Sequence, residues 1–175
     1  MLKKYLVLLV AVIGIFTSRN IPTEYTMQAA QQEQSQRSES LRQLHCLALN
    51  IYHEARSESS LGQKAVALVT MNRKMHPAYP DTVCGVVYQA RLDKQGEPLL
   101  NKCQFSWFCD GKKDTTKNEE KWNEAINVAT YVYENYGKIK DVTNGATMYH
   151  ATYVRPYWKN KFTRTVKIES HVFYK

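Results

Sequence analysis

The hydrophobic period changes once along this chain, and that change constrains the fold more than any other feature. Over about residues 40–90, and again over 119–136, the apolar residues recur at helical spacing. From residue 146 onward they give way to β-branched and aromatic runs with a period of two. A first helix is predicted from Ser40 to Arg56, with Leu44, Leu47 and Ile51 on one face. A second runs from Ser60 to Met75 on Leu61, Ala65, Leu68 and Val69, and Pro77 stops it. A shorter helix follows from Asp81, a good N-cap, to Ala90. Residues 91–118 read as loop, with Gly96, Pro98 and Asp110-Gly111 as turn signals. A further helix fits Glu119 to Tyr136, capped by Gly137. Ala146–His150 and Thr163–Tyr174 then read as two strands paired in an antiparallel ribbon. The expected class is α+β: a mainly α-helical domain with a small C-terminal antiparallel β-sheet.

The first forty residues differ in kind. Lys3 and Lys4 precede an unbroken apolar run from Tyr5 to Phe16. Its length suits the core of an export signal and is short for a spanning helix. Residues 1–19 are therefore expected to be a signal peptide or an uncleaved signal anchor. Residues 20–40 are polar and glutamine-rich, and read as a linker, either an open tether or a frayed helix. The folded domain is expected over 41–175.

Four cysteines, Cys46, Cys84, Cys103 and Cys109, all follow the export segment. An even count in an exported chain suggests two disulfides, for which three pairings exist. Local loop closure favours Cys46 with Cys84 and Cys103 with Cys109. A zinc site is the weaker alternative, because no Cys-x-x-Cys pair occurs. The chain holds 24 Lys and Arg against 16 Asp and Glu. Residues 1–40 hold only +1 of that excess, so a charge of +7 belongs to the domain. Such a surface suits a polyanion (nucleic acid, anionic lipid or an acidic cell wall) or serves solubility alone.

Few routes to catalysis remain. His53-Glu54 lacks the second histidine of a zinc protease, since position 57 is serine. There is neither a Gly-rich phosphate loop nor a Gly-x-Ser-x-Gly elbow. Carboxylate chemistry is left. Glu54 lies at the edge of the first helix's apolar stripe, where desolvation would raise its pKa toward that of a proton donor. The competing reading is a solvated ion pair with Arg56.

The wider text bears on that choice. Tyr52-His53-Glu54-Ala55-Arg56-Ser57-Glu58 is followed by Gly62-Gln63-Lys64-Ala65-Val66-Ala67 and Asn72-Arg73. Thr82–Gln89, Cys103–Gly111, Ala146–Ala151 and Ile168–Tyr174 come later in the same order. Together these blocks, over about residues 44–174, resemble the cell wall hydrolase family that includes the spore-cortex-lytic enzymes of sporulating bacteria. Similar domains occur in proteobacteria and in bacteriophage lysis proteins. The chain departs from the usual family text at Glu169-Ser170, where an Ile-Gly pair is commoner.

The resemblance implies a lysozyme-like fold in which an acid ends a helix bordering a glycan cleft. The family's catalytic glutamate falls on Glu54. Its members cleave between N-acetylmuramic acid and N-acetylglucosamine, leaving a 1,6-anhydro muramyl end, so one glutamate can act first as acid and then as base. No clear second carboxylate is needed; Asp110 and Glu58 read better as a turn residue and a surface charge. Gln104, Phe105, Ser106 and Trp107 are candidate groove residues, with core packing as the rival for the two aromatics. Tyr149 and His150 are candidates to border the cleft, against a half-buried strand pair. His171 reads as structural, and Tyr153, Arg155, Pro156, Tyr157 and Trp158 as a packed corner. The expected partner is the glycan strand of peptidoglycan, with the inner membrane a second contact if the N-terminus stays uncleaved. No cofactor, metal or nucleic acid is expected, and the chain is expected to be monomeric. Its expected place is the periplasm or cell envelope, with a bacteriophage endolysin the favoured origin. The alternatives are a muramidase of the same fold and a non-catalytic basic wall-binding domain.

Overall fold

The computed structural model describes residues 24–175; the export segment expected over 1–19 lies outside them. The chain divides into two units, Met1–Ser35 and Gln36–Lys175. Of the first unit, residues 24–35 are described, and they are helical and exposed.

Helix α1 spans Glu24–Ala55 rather than starting near Ser40. Residues 24–39 contain neither glycine nor proline and are rich in Gln, Glu and Ala, all good helix formers. They bury nothing, so no apolar stripe announces them. The polar stretch is thus helical from Glu24 onward. Helix α2 is Ser60–Met75, as its stripe and Pro77 predict, and Ser59 Oγ caps it by accepting from Leu61 N at 3.2 Å. Helix α3 is only Val83–Val87, capped by Thr82 rather than Asp81. The Thr82 hydroxyl accepts from Gly85 N at 3.0 Å. Helix α4 is Glu119–Asn135, and Gly137 follows it at φ +81°, the left-handed conformation that glycine adopts without strain.

Cys46, Leu47, Ile51 and Tyr52 of α1 pack on Ala67, Leu68 and Met71 of α2 and on Val83, Val86 and Val87 of α3. Ala125, Ala129 and Val132 of α4 close that core. Each fully buried Leu, Ile or Val here contributes about 1.5–3 kcal/mol of transfer free energy. The other side of α2 presents Ala65 and Val69 to Ala146, Ile168 and Phe173. Helix α2 is therefore the shared wall between the helical body and the sheet.

The segment read as loop contains a hairpin, β1 (Ala90–Leu92) and β2 (Pro98–Cys103), paired antiparallel. Its strands are largely exposed and do not alternate, so no period of two marks them. A 3-10 turn, Ser106–Cys109, follows. The Cys103–Cys109 disulfide clamps it, and Cys46–Cys84 ties α1 to α3; this is the pairing that local closure favours.

The C-terminal sheet has three strands, not two: β3 (Met148–Ala151), β4 (Arg164–Ile168) and β5 (His171–Tyr174), in the order β3-β5-β4. The run 163–174 is itself a hairpin, turning at Glu169-Ser170. Glu169 sits at φ +48°, where a glycine would be unstrained. Its carboxylate accepts from Ser59 N at 3.0 Å and from the Ser59 hydroxyl, while the Ser170 hydroxyl donates to Glu58. The turn is thereby fastened to the start of α2. These hydrogen bonds from Ser59, with Glu58 beside them, hold the Glu169 carboxyl below its usual range. Among the described residues no helix is long and apolar enough to cross a membrane.

Candidate active site

Glu54 occupies the last turn of α1, one residue before its end. It lines a cavity of about 380 Å³ between that turn, the segment Cys103–Ser106 and the sheet. Burial raises its pKa above that of an ordinary glutamate. Two groups work against that rise: Tyr149 O–H donates to Glu54 Oε2 at 2.9 Å, and Arg73 adds its positive charge. Burial, and then the Glu54 charge, raise the Tyr149 phenol well above its ordinary value, so it stays a neutral donor. The ion pair with Arg56 does not form. Arg56 instead lies over the Tyr52 ring, 5.3 Å from its centroid, and donates to Tyr52 O at 3.4 Å.

Arg73 is the residue that the periodicity argument overlooked. It lies four residues beyond Val69 in the buried stripe of α2 and is only 2 % exposed. Its Nε donates to Thr147 O at 2.6 Å. Gln104, in the amide orientation that satisfies both groups, accepts from both terminal guanidinium nitrogens at 3.2 and 3.1 Å. The guanidinium also covers the Phe105 ring at 5.0 Å and the Tyr79 ring at 5.6 Å. A charged residue in register with a buried stripe was the available signal. Next to it, Asn72 donates to Asp141 and to Ala146 O, each at 2.9 Å. Asp141 also accepts from Thr143 and Gly145, pinning the approach to β3. Burial pushes the Asp141 carboxyl up, but these hydrogen bonds outweigh it and hold the group below its ordinary value.

Gln104, Phe105, Ser106, Tyr149 and His150 all line the Glu54 cavity. Phe105, at 2 % exposure, is core as well as cavity wall. His150 Nε2 lies 3.0 Å from the Tyr174 hydroxyl. Trp107 departs from the group. It is buried, stacked on His53 at 4.5 Å, and donates Nε1–H to Asn50 Oδ1 at 3.1 Å. Asn50 passes a hydrogen bond to Thr70 at 3.1 Å, so a buried polar chain fixes the 3-10 turn to α1 and α2. Trp107 faces a second cavity, with Asp110. Glu58 bonds Ser170, so neither alternative carboxylate stands beside Glu54. His171 is buried in the sheet, its ring edge-on to Tyr149. The packed corner is only partly packed. Trp158 meets His150, Phe162 and Tyr174 and lines the cavity, but Tyr153 and Tyr157 are 87 % and 88 % exposed. Met148, Val154 and Pro156 complete the lining. Among the described residues no three His, Cys, Asp or Glu side chains are placed to hold a metal ion.

Four helices packed around a helical core, with a small antiparallel sheet laid on α2 and a desolvated glutamate at the end of α1, make a lysozyme-like α+β domain. The chain belongs to the cell wall hydrolase family, whose pattern matches residues 57–174. That match begins just past Glu54. The chain is 44 % identical over 76 residues to the spore cortex-lytic enzyme of Halalkalibacterium halodurans, covering 43 % of this chain and 19 % of that protein. It is 40 % identical over 76 residues to that of Bacillus cereus, covering 43 % of this chain and 25 % of that protein. The match thus spans a quarter or less of the length of these relatives. Among solved structures, the catalytic domain of the Bacillus cereus SleB protein superposes with a TM-score of 0.54 at 27 % identity, covering 76 % of this chain and 89 % of that one. The catalytic domain of the germination-specific lytic transglycosylase SleB from Bacillus anthracis gives 0.55 at 27 % identity, covering 76 % and 93 %.

Proposed function

We propose that this chain is an exported peptidoglycan-cleaving enzyme, a lytic transglycosylase acting between N-acetylmuramic acid and N-acetylglucosamine, with Glu54 as its acid and base. The observation that carries this reading is the lone carboxyl group in the cavity: Glu54 is raised by burial and has no second acid among the lining residues. A hydrolase with two carboxylates would need a partner across the cleft. One acid suffices when the nucleophile is the sugar's own 6-hydroxyl. Glu54 first gives its proton to the leaving glycosidic oxygen. The carboxylate so formed is held by Tyr149 O–H and the Arg73 charge. It then takes the proton of the 6-hydroxyl as that oxygen closes on the anomeric carbon. Gln104, Ser106 and His150 offer polar contacts to the sugars, and Trp158 an aromatic face. Two disulfides support an oxidising compartment, in agreement with residues 1–19 as an export segment.

The test is digestion of purified peptidoglycan with mass spectrometry of the products. Anhydro-muramyl ends are expected from the wild type, and Glu54→Gln is expected to lower the rate by about 10²–10⁴-fold. Reducing ends would replace the transglycosylase with a muramidase of the same site. Undiminished lysis by Glu54→Gln would leave only a wall-binding role.

A further inference from the structure

A second cavity is larger than the one that holds Glu54. It measures about 730 Å³ and is lined by residues of the same two elements. Glu54 and Ser106 line the smaller cavity; their chain neighbours His53 and Trp107 line the larger. The two cavities therefore adjoin along the end of α1 and the 3-10 turn. The far wall is the segment 110–119, and Tyr52 O–H anchors its end by accepting from Asn118 N at 3.1 Å.

The lining is built from charge. Arg56, Lys113 and Lys117 line the cavity and form no ion pair among the described residues, whereas Lys112 is paired with Asp110 at 3.4 Å. Asp114 and Glu119 are the unpaired acids. Three free cations thus stand against two free anions around a tryptophan floor. A neutral sugar makes no use of such a lining. A short zwitterionic peptide with more carboxylates than amines matches it, and the volume lies within the range of ligand sites. A glycan strand of peptidoglycan carries such a peptide, branching sideways from each muramic acid. A strand seated with its scissile bond at Glu54 needs an outlet for that branch beside the cleft.

We infer that the cavity lined by Arg56, Trp107, Lys113, Asp114 and Lys117 is the binding site for the stem peptide of the muramic acid whose glycosidic bond faces Glu54. The inference rests on the peptidoglycan reading of Glu54. It makes the enzyme selective for glycan that still bears its peptides.

The experiment compares initial rates on purified peptidoglycan and on the same material stripped of stem peptides by an amidase. Wild-type protein is expected to show a KM at least about tenfold lower on the peptide-bearing glycan, equivalent to 1.4 kcal/mol of binding. Lys113→Ala with Lys117→Ala, and separately Asp114→Asn, are expected to raise that KM toward the value on stripped glycan without moving kcat. All three side chains are exposed, so thermal melting is expected to stay unchanged and serves as the folding control. Titration of a free stem tripeptide into Glu54→Gln protein, followed by Trp107 fluorescence, is expected to saturate, and to weaken in the lysine variant. Equal KM values on the two substrates, or variants that slow both substrates alike, would overturn the inference. Glu54→Gln keeps the two ideas apart: its full activity sinks the catalytic reading, whereas lost selectivity with Glu54 still essential sinks only the peptide site.

Discussion

Burial raises the Glu54 carboxyl, and Tyr149 and Arg73 pull it back; that balance decides when the residue holds a proton. Two consequences can be measured. If the acid form drives cleavage, the rate falls as pH rises through the Glu54 pKa. Tyr149→Phe removes a hydrogen bond that lowers this pKa, so the alkaline limb of the pH–rate profile is expected to move to higher pH. A limb that stays put would remove Glu54, or its bond to Tyr149, from the proton transfer. The second consequence concerns stability. A carboxyl with a raised folded pKa favours the folded state below its unfolded pKa, and that contribution is lost as pH rises through the folded value. Glu54→Gln is therefore expected to melt above wild type at neutral pH, the advantage disappearing on acidification below the ordinary glutamate range. Calorimetry across that range checks it. The chain's wording around Glu54 was legible, because a run of adjacent residues carries it. Arg73 was not, because its partners Thr147, Gln104 and Phe105 lie far from it in sequence.

The elements were legible in proportion to how much they bury. Helix α2 follows its apolar stripe from Ser60 to Met75, and α4 ends just before the predicted glycine, with Tyr136 between. The exposed start of α1 and the exposed hairpin β1–β2 show no stripe and no alternation, so the pattern gave no warning of either. The run 163–174 illustrates the reverse error. Its alternation is real, but a turn at Glu169 splits it, and residues 171–174 are buried on both faces of β5. Glu169 holds a conformation suited to glycine while bracing the α2 cap residue Ser59. Glu169→Ala keeps the backbone strain and loses the hydrogen bonds to Ser59; Glu169→Gly loses the same bonds but relieves the strain. Glu169→Ala is therefore expected to be the less stable of the two in urea melts. The opposite ranking would mean that the strain at this turn is negligible.

At the scale of the molecule, the helical body and the sheet share α2, so the Glu54 carboxyl on α1 and its hydrogen-bond donor on β3 are set by separate cores that meet at one helix. The Cys46–Cys84 disulfide closes a loop of 38 residues within the helical body and contributes about 4 kcal/mol by the chain-entropy model. Cys46→Ser with Cys84→Ser is expected to lower the melting temperature by roughly 10 °C. An unchanged melting temperature would refute the bond's role in stability. The class of fold, the order of the main helices and the place of Glu54 near a helix end can be read from the chain alone, because periodicity and contiguous wording are local properties. Only the tertiary structure decided that Arg56 leaves Glu54 unpaired, that Tyr149 and Arg73 attend it instead, and that Trp107 turns away into a second cavity. Each of those outcomes depends on residues distant in sequence meeting in a space whose shape and dielectric exist only once α2 has brought both cores together.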